Sequence, residues 1–324
     1  MIIVKNPDKY LNELPAIAIP DYLSIFNGLL DYGYFVENSC LLPFIIRKRY
    51  FMKFIQFTSP VLGTKNIEEE KTFLNNLLYF IKREMNIDFI DSSNTSIFKT
   101  FPDESLFCKF GSYIVNLNKS ENDLFAALHS KHRNVIKKAQ NDGLQVFFGK
   151  EFAQECYLLI HETFNRQNLI SPSIEYIQRL EKLSDIVSFV VVKKGDTIQG
   201  CAIFLWNKGN SCYYLHGGSI LKPHPGAMNL LHWETMLRMK NNGVKYYNFV
   251  GGRLNTDSGS KLEGIQRFKS RFGGDFEIGY LWKYIFNKPK YKLYNLLLKL
   301  YFKIILHQKY TGDVIDQERM RGNF

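Results

Sequence analysis

Ile186–Ser219 reads IVSFVVVKKGDTIQGCAIFLWNKGNSCYYLHGGS, and its runs of β-branched and aromatic residues, broken by Gly, Asn and Asp, spell three antiparallel strands. Ile186–Lys193 meets Thr197–Trp206 through the turn Lys194-Gly195-Asp196, and Asn207–Asn210 leads into Cys212–Ser219. Beyond the loop ILKPHPGA, Leu230, Trp233 and Leu237 share one face of a helix over Met228–Asn241, which Asn242-Gly243 stops. Val244–Val250 (VKYYNFV) is the next strand. A parallel strand pair needs such a helical crossover, so the meander and crossover predict an α/β unit on a mixed sheet.

The same order occurs earlier in the chain. Phe51–Thr58 reads as a strand, Ile67–Met85 as a helix with Phe73, Leu74, Leu77, Leu78 and Ile81 at helical spacing, and Ile87–Asp91 as the returning strand. Two copies predict two similar lobes in tandem, with flanking helices. Between them, Glu121–Asn141 reads as one helix, with Ser120 as N-cap and Asp123 in the capping-box position. Leu124, Leu128, Val135 and Ala139 form its apolar stripe. Lys131, His132, Arg133, Lys137 and Lys138 cluster on the other faces, as an anion site or as a plain solvated surface.

Composition narrows the class. The 324 residues are 45% apolar and 15% aromatic, enough for packed cores. The formal charge of +11 favours an anionic partner such as RNA, a phosphorylated substrate or an acidic membrane face. The five cysteines (Cys40, Cys108, Cys156, Cys201, Cys212) show neither CxxC pairs nor His spacing, so neither a zinc site nor a disulfide framework is expected. The first residues, MIIVKNPDKYLNELP, lack a signal-peptide pattern, and no run reaches the roughly 18 apolar residues of a spanning helix. A cytoplasmic protein is expected, with no metal. Over 288–305, Lys288, Lys292, Asn295, Lys299 and Lys303 fall on one stripe of an otherwise apolar helix. Such a helix docks on the second lobe or lies peripherally on the inner face of the plasma membrane.

Several segments resemble those of one family. Ser130–Gly143 (SKHRNVIKKAQNDG), Tyr214–Ser219 (YLHGGS) and Tyr246–Gly274 (YYNFVGGRLNTDSGSKLEGIQRFKSRFGG) are similar, in order, to the motifs of Fem-type (FemABX-like) aminoacyltransferases. The resemblance covers about residues 30 to 285 and is densest in the second half. It implies tandem Gcn5-like (GNAT, acyl-CoA N-acyltransferase) lobes, 1–118 and then 119–285 with the family motifs; the amphipathic pattern adds a basic helical tail over 286–324. It also implies transfer of an aminoacyl group from aminoacyl-tRNA to an amine of a peptidoglycan-type precursor, without a bound cofactor. Two alternatives come from other classes. One is an acyl-CoA-dependent enzyme acting on an amino sugar of capsule or lipopolysaccharide; the other is a non-catalytic membrane-associated RNA- or glycan-binding protein. The chain departs from the family at Asn248, where an aspartate is usual, and it lacks the long helical arm, since little room exists between Glu151 and Ser184.

The resemblance carries Lys269 over as the cation for the developing oxyanion or a donor phosphate. In a strand, Arg267, Lys269 and Arg271 would share one face, with Phe268 and Phe272 opposite. His216, beside Gly217-Gly218, is the candidate base for the attacking amine. Tyr214, Gly217, Gly218, Gly251, Gly252, Arg253, Arg267, Phe268 and Arg271 are expected to line the substrate site, with Arg133 and Lys137 taking phosphate. The loop Lys222–Met228 (KPHPGAM) stands where acetyl-CoA enzymes bind pyrophosphate through backbone N–H groups. Its two prolines remove two donors.

Overall fold

The computed structural model describes residues 1–8 and 14–324. The first half comprises β1 (Ile2–Val4), α1 (Pro20–Leu23), β2 (Leu29–Glu37), β3 (Cys40–Arg49), β4 (Met52–Phe57), α2 (Ile67–Glu84) and β5 (Phe89–Ser92). Next come β6 (Leu106–Asn116), α3 (Glu121–Ala127), α4 (Ser130–Asn141), β7 (Leu144–Phe148), α5 (Ala153–Asn165) and α6 (Ile174–Glu181). The meander β8 (Val187–Lys194), β9 (Thr197–Trp206) and β10 (Ser211–Ser219) leads to α7 (Ala227–Asn241) and β11 (Tyr246–Asn248). The chain closes with α8 (Lys261–Ser270), β12 (Asp275–Ile285), α9 (Lys288–Ile304) and α10 (Val314–Met320).

Both expected crossovers are present. α2 carries the chain from β4 to its parallel neighbour β5, and α7 carries it from β10 to its parallel neighbour β11. The tandem GNAT-like, mixed-sheet fold read from the sequence is therefore the observed one. The two units share one twelve-stranded sheet, ordered β1-β2-β3-β4-β5-β12-β6-β11-β10-β9-β8-β7. β12 joins them: Asp275–Lys283 pair with β6, while Tyr284 and Ile285 pair with β5. β6 precedes residue 118 yet lies between β11 and β12. The boundary expected at 118/119 thus separates β6 from its partners, because strand order in space does not follow strand order in the chain. All five cysteines are buried and free, as small core residues.

Three local expectations change. The helix foreseen over Glu121–Asn141 is two helices: Leu128 is extended, and His129 caps α4 by accepting the Lys131 N–H at its Nδ1. Ser120 does cap the first, accepting from the Asp123 N–H at 3.1 Å. His132, counted among the surface cations, is buried against Phe268 and Phe272, and burial lowers its pKa to about 4. Finally, α9 docks on the first half, not the second. Tyr291, Tyr294 and Leu298 pack against Met52, Phe54 and Phe89 of β4 and β5.

Candidate functional site

β10 and β11 pair over only three residues, Ser211–Tyr213 with Tyr246–Asn248, and then part. On its other edge β10 slips register against β9 between Tyr214 and His216, a bulge that redirects the side chains beyond it. The opening is a cleft of about 550 Å³, lined by Tyr214, His216 and Gly217 of β10 and by Phe249 and Val250 after β11. α8 closes it with Lys261, Ile265, Phe268 and Lys269, α5 adds Phe164, and Asn94 reaches in from the first half. The cleft thus lies where the two units meet.

Lys269 is at its floor. The pattern Arg267-x-Lys269-x-Arg271 had suggested a strand, but Ser260 caps a helix here by accepting the Glu263 N–H, and α8 runs on to Ser270. At about 100° per residue, neighbours two apart point to opposite sides of a helix. Lys269 is therefore buried while Arg267 is exposed and pairs with Glu263 at 3.7 Å. The Lys269 ammonium donates to the carbonyl oxygens of Val250 and Gly251 (2.8 Å to the latter). An ammonium has three donors, so one N–H is left for the cleft. Burial lowers its pKa from 10.5 to about 8.

The loop that supplies these carbonyls is specified locally. Val250 and Gly251 both have positive φ, 46° and 71°, a region costly for a β-branched residue. Asn248 holds the turn: its Oδ1 accepts the Val250 N–H at 2.8 Å and the Ser112 hydroxyl at 2.6 Å. Asn248, where the resemblance led an aspartate to be expected, thus shapes the backbone. Gly252 exchanges backbone hydrogen bonds with Gly111 of β6.

His216 is half-buried beside Tyr176, and burial lowers its pKa to about 4. It is neutral at physiological pH and a weak proton acceptor. Behind Lys269 lies an aromatic box of Tyr214, Tyr247, Phe249, Phe268 and Phe272 around His232. His232 Nδ1 sits 2.6 Å from the Tyr247 hydroxyl, and its Nε2 has no partner among the described residues. Burial first, then the Lys269 and His132 charges, lowers its pKa to about 3. Sequence reading missed His232 because it lies in the apolar pattern of α7, where a buried imidazole looks like any core residue.

The other expected residues divide. Tyr214, Gly217 and Phe268 line the cleft with Lys269 and His216. Gly218 is instead a packing glycine, whose Cβ would meet the Leu159 carbonyl oxygen at 2.5 Å. Arg253 points to α10, where Glu318 and Gln317 accept its hydrogen bonds. Arg271 caps α8, and its carbonyl accepts the His129 N–H. Arg133 donates to the Ala126 and Leu128 carbonyls and staples the α3–α4 break, while Lys137 lies over the Phe125 ring at 5.5 Å. Gly217 is needed for a specific reason: a Cβ there would stand 1.9 Å from the Tyr214 hydroxyl. Gly217→Ala should push Tyr214 into the cleft and raise KM more than it lowers kcat, measured by steady-state kinetics with thermal melting as the folding control.

In the loop at the α7 N-terminus Leu221 and Lys222 are exposed, while Gly226 is packed against α4. A Cβ on Gly226, at φ 87°, would meet the Val135 carbonyl oxygen at 2.2 Å. His224 next to it lies 2.9 Å from the Asp142 carboxylate.

The FemAB family model matches residues 181–299. Among solved structures, FemX superposes with a TM-score of 0.62 at 14% identity, covering 86% of this chain and 94% of its own. The C-terminal domain of a putative lysylphosphatidylglycerol synthetase from Agrobacterium fabrum gives 0.51 at 14% identity, over 84% and 89%. L-PGS from Bacillus licheniformis gives 0.50 at 14% identity, over 85% and 90%. No curated protein matches the sequence significantly. The FemABX-like resemblance on GNAT-like lobes, read from the motifs, therefore holds.

Proposed function

We propose that this FemABX-like chain transfers an aminoacyl group from aminoacyl-tRNA to an amine of a peptidoglycan-type precursor in the cell envelope. The family match and the likeness to FemX support an acyltransferase, as the sequence reading expected. The observation that carries the finer reading is the Lys269 ammonium, fixed by two carbonyls with one donor left for the cleft. In aminolysis of the tRNA ester, the amine nitrogen attacks the carbonyl carbon and the carbonyl oxygen becomes anionic. Lys269 would meet that oxygen, and a preset donor at such a position contributes about 2.7–4 kcal/mol. The amine then loses its proton and the ribose oxygen leaves as a hydroxyl. Because His216 is held neutral and weakly basic, its role would be to orient the amine and not to take its proton.

Aminoacyl-tRNA is favoured over acyl-CoA by the Lys222–Met228 loop. Its glycine is occupied by the approach of α4, two of its residues are prolines, and an aspartate lies beside it. The net charge of +11 suits a polyanionic donor. Two incubations test the reading, each followed by mass spectrometry of the acceptor. Charged tRNA with a muropeptide precursor should add one aminoacyl mass, and acyl-CoA with an amino-sugar nucleotide should add nothing. Product from the second mixture alone overturns the tRNA donor.

A further inference from the structure

Among the described residues, no helix is long and apolar enough to cross a membrane. α9 nevertheless exposes a stripe that water does not favour. Leu293, Leu296, Leu297, Leu300 and Ile304 are 43–62% exposed, and their spacings place them on one face of the helix. The opposite side, through Tyr291, Tyr294 and Leu298, is already docked on β4 and β5. Going round the helix, Lys292, Lys299 and Lys303 border the stripe on its outer edge at spacings of seven and four.

The tertiary fold adds a second element. The β3–β4 hairpin tip brings Lys48, Arg49, Tyr50 and Phe51 alongside α9. Phe51 stacks edge-on against Tyr294, and Tyr50 is 66% exposed. Together they border an apolar groove of about 260 Å³ with Leu297, Leu298 and Tyr301. Charge over this face has one sign. From residue 286 to 312 the chain has six lysines and no acidic residue, and hairpin residues 47–53 (RKRYFMK) have none either. Asp88, inward of the face, is already paired with Lys290 at 2.6 Å.

We infer that the hairpin tip at 48–51 and the outer face of α9 form one surface that docks on an anionic lipid bilayer. Leucine and isoleucine side chains enter the acyl boundary, Tyr50 and Phe51 lie at the headgroup level, and the lysines meet lipid phosphates. A soluble acidic protein would match the charge, but it would not favour so broad and continuous an aliphatic stripe. The inference deepens the reading of an envelope acceptor, and rests on it only for its purpose: a lipid-linked acceptor is confined to this boundary.

The test is co-sedimentation of the full chain with vesicles of phosphatidylcholine alone or with phosphatidylglycerol, with neither donor nor acceptor present. We expect binding to anionic vesicles, at least tenfold weaker on neutral ones. Leu297→Asp with Ile304→Asp should weaken it at least tenfold, and each of Lys299→Gln and Lys303→Gln about fivefold. Tyr50→Asn, which tolerates the φ of 53° at that position, should weaken it severalfold and so isolates the hairpin. These side chains are exposed, and an unchanged melting temperature confirms folding. A full chain that stays in the supernatant with both vesicles overturns the proposal. So does a dimer in sedimentation velocity that Leu297→Asp with Ile304→Asp dissociates while vesicles go unbound, since the face then belongs to a second copy. Transfer to a water-soluble muropeptide, assayed in the same variants, fails only if the transferase reading itself fails.

Discussion

Lys269→Met should lower kcat by about 10²–10³-fold while leaving the protein folded. The ammonium is buried and its charge is costly there, which is why its pKa falls to about 8. Removing it therefore relieves a desolvated charge even as it leaves the Val250 and Gly251 carbonyls without that donor, so the melting temperature should move little. Lys269→Arg should not restore turnover. A planar guanidinium does not reproduce a compact ammonium held between two carbonyl oxygens. The pH profile gives an independent reading. The cation fraction drops as pH rises through about 8, so kcat/KM of the free enzyme should decline above that value, and this limb should vanish in Lys269→Met. Stability carries the opposite sign. With a folded pKa below the unfolded 10.5, this group makes no stabilising contribution below about pH 8, and its contribution grows from there to 10.5. A falling activity limb across a window where this group adds stability separates loss of the cation from unfolding. Full turnover in Lys269→Met would end the mechanism.

Glu318→Ala should be the most destabilising single change near the site, by about 3–5 kcal/mol. Glu318 is fully buried and accepts from Arg253, from Arg321 at 2.9 Å and from Asn323 at 2.7 Å. Its loss strands the Arg253 guanidinium, whose side chain is 13% exposed. Urea unfolding should show a lower midpoint, and adding Arg253→Met should recover part of the loss by removing the unpaired charge. Activity should fall as well. Arg253 directly follows Gly251 and Gly252, so α10 helps to hold the backbone that presents Lys269. Retained stability in Glu318→Ala would mean that α10 is not anchored by this pair.

The second-half meander and both crossovers were legible because each strand has its own run of β-branched and aromatic residues and each helix its own apolar period. Lys269, His216, Tyr214, Gly217 and Phe268 were legible as motif residues, and the cleft does bring them together. Arg253 and Arg133 were not legible as structural residues. A guanidinium looks the same in sequence whether it meets a phosphate or a neighbouring carbonyl. The secondary structure around Lys269 was misread because an alternating basic pattern mimics a strand, while the signal that overrides it is a pair of local hydrogen bonds, the Glu263 N–H to the Ser260 hydroxyl and the Gly259 N–H to the Glu263 carboxylate.

By itself the sequence determined what depends on near neighbours: the second-half meander, the two helical crossovers, the turns, the Ser120 cap, and a basic chain with an amphipathic C-terminal segment. The tertiary structure alone decided which strands become neighbours across long stretches of chain. It threaded β6 and β12 between the two units, seated α10 against Arg253, and turned α9 onto the first half beside the β3–β4 hairpin. These outcomes rest on burial and on pairing between residues far apart in the chain, and such contacts leave no local periodicity to read.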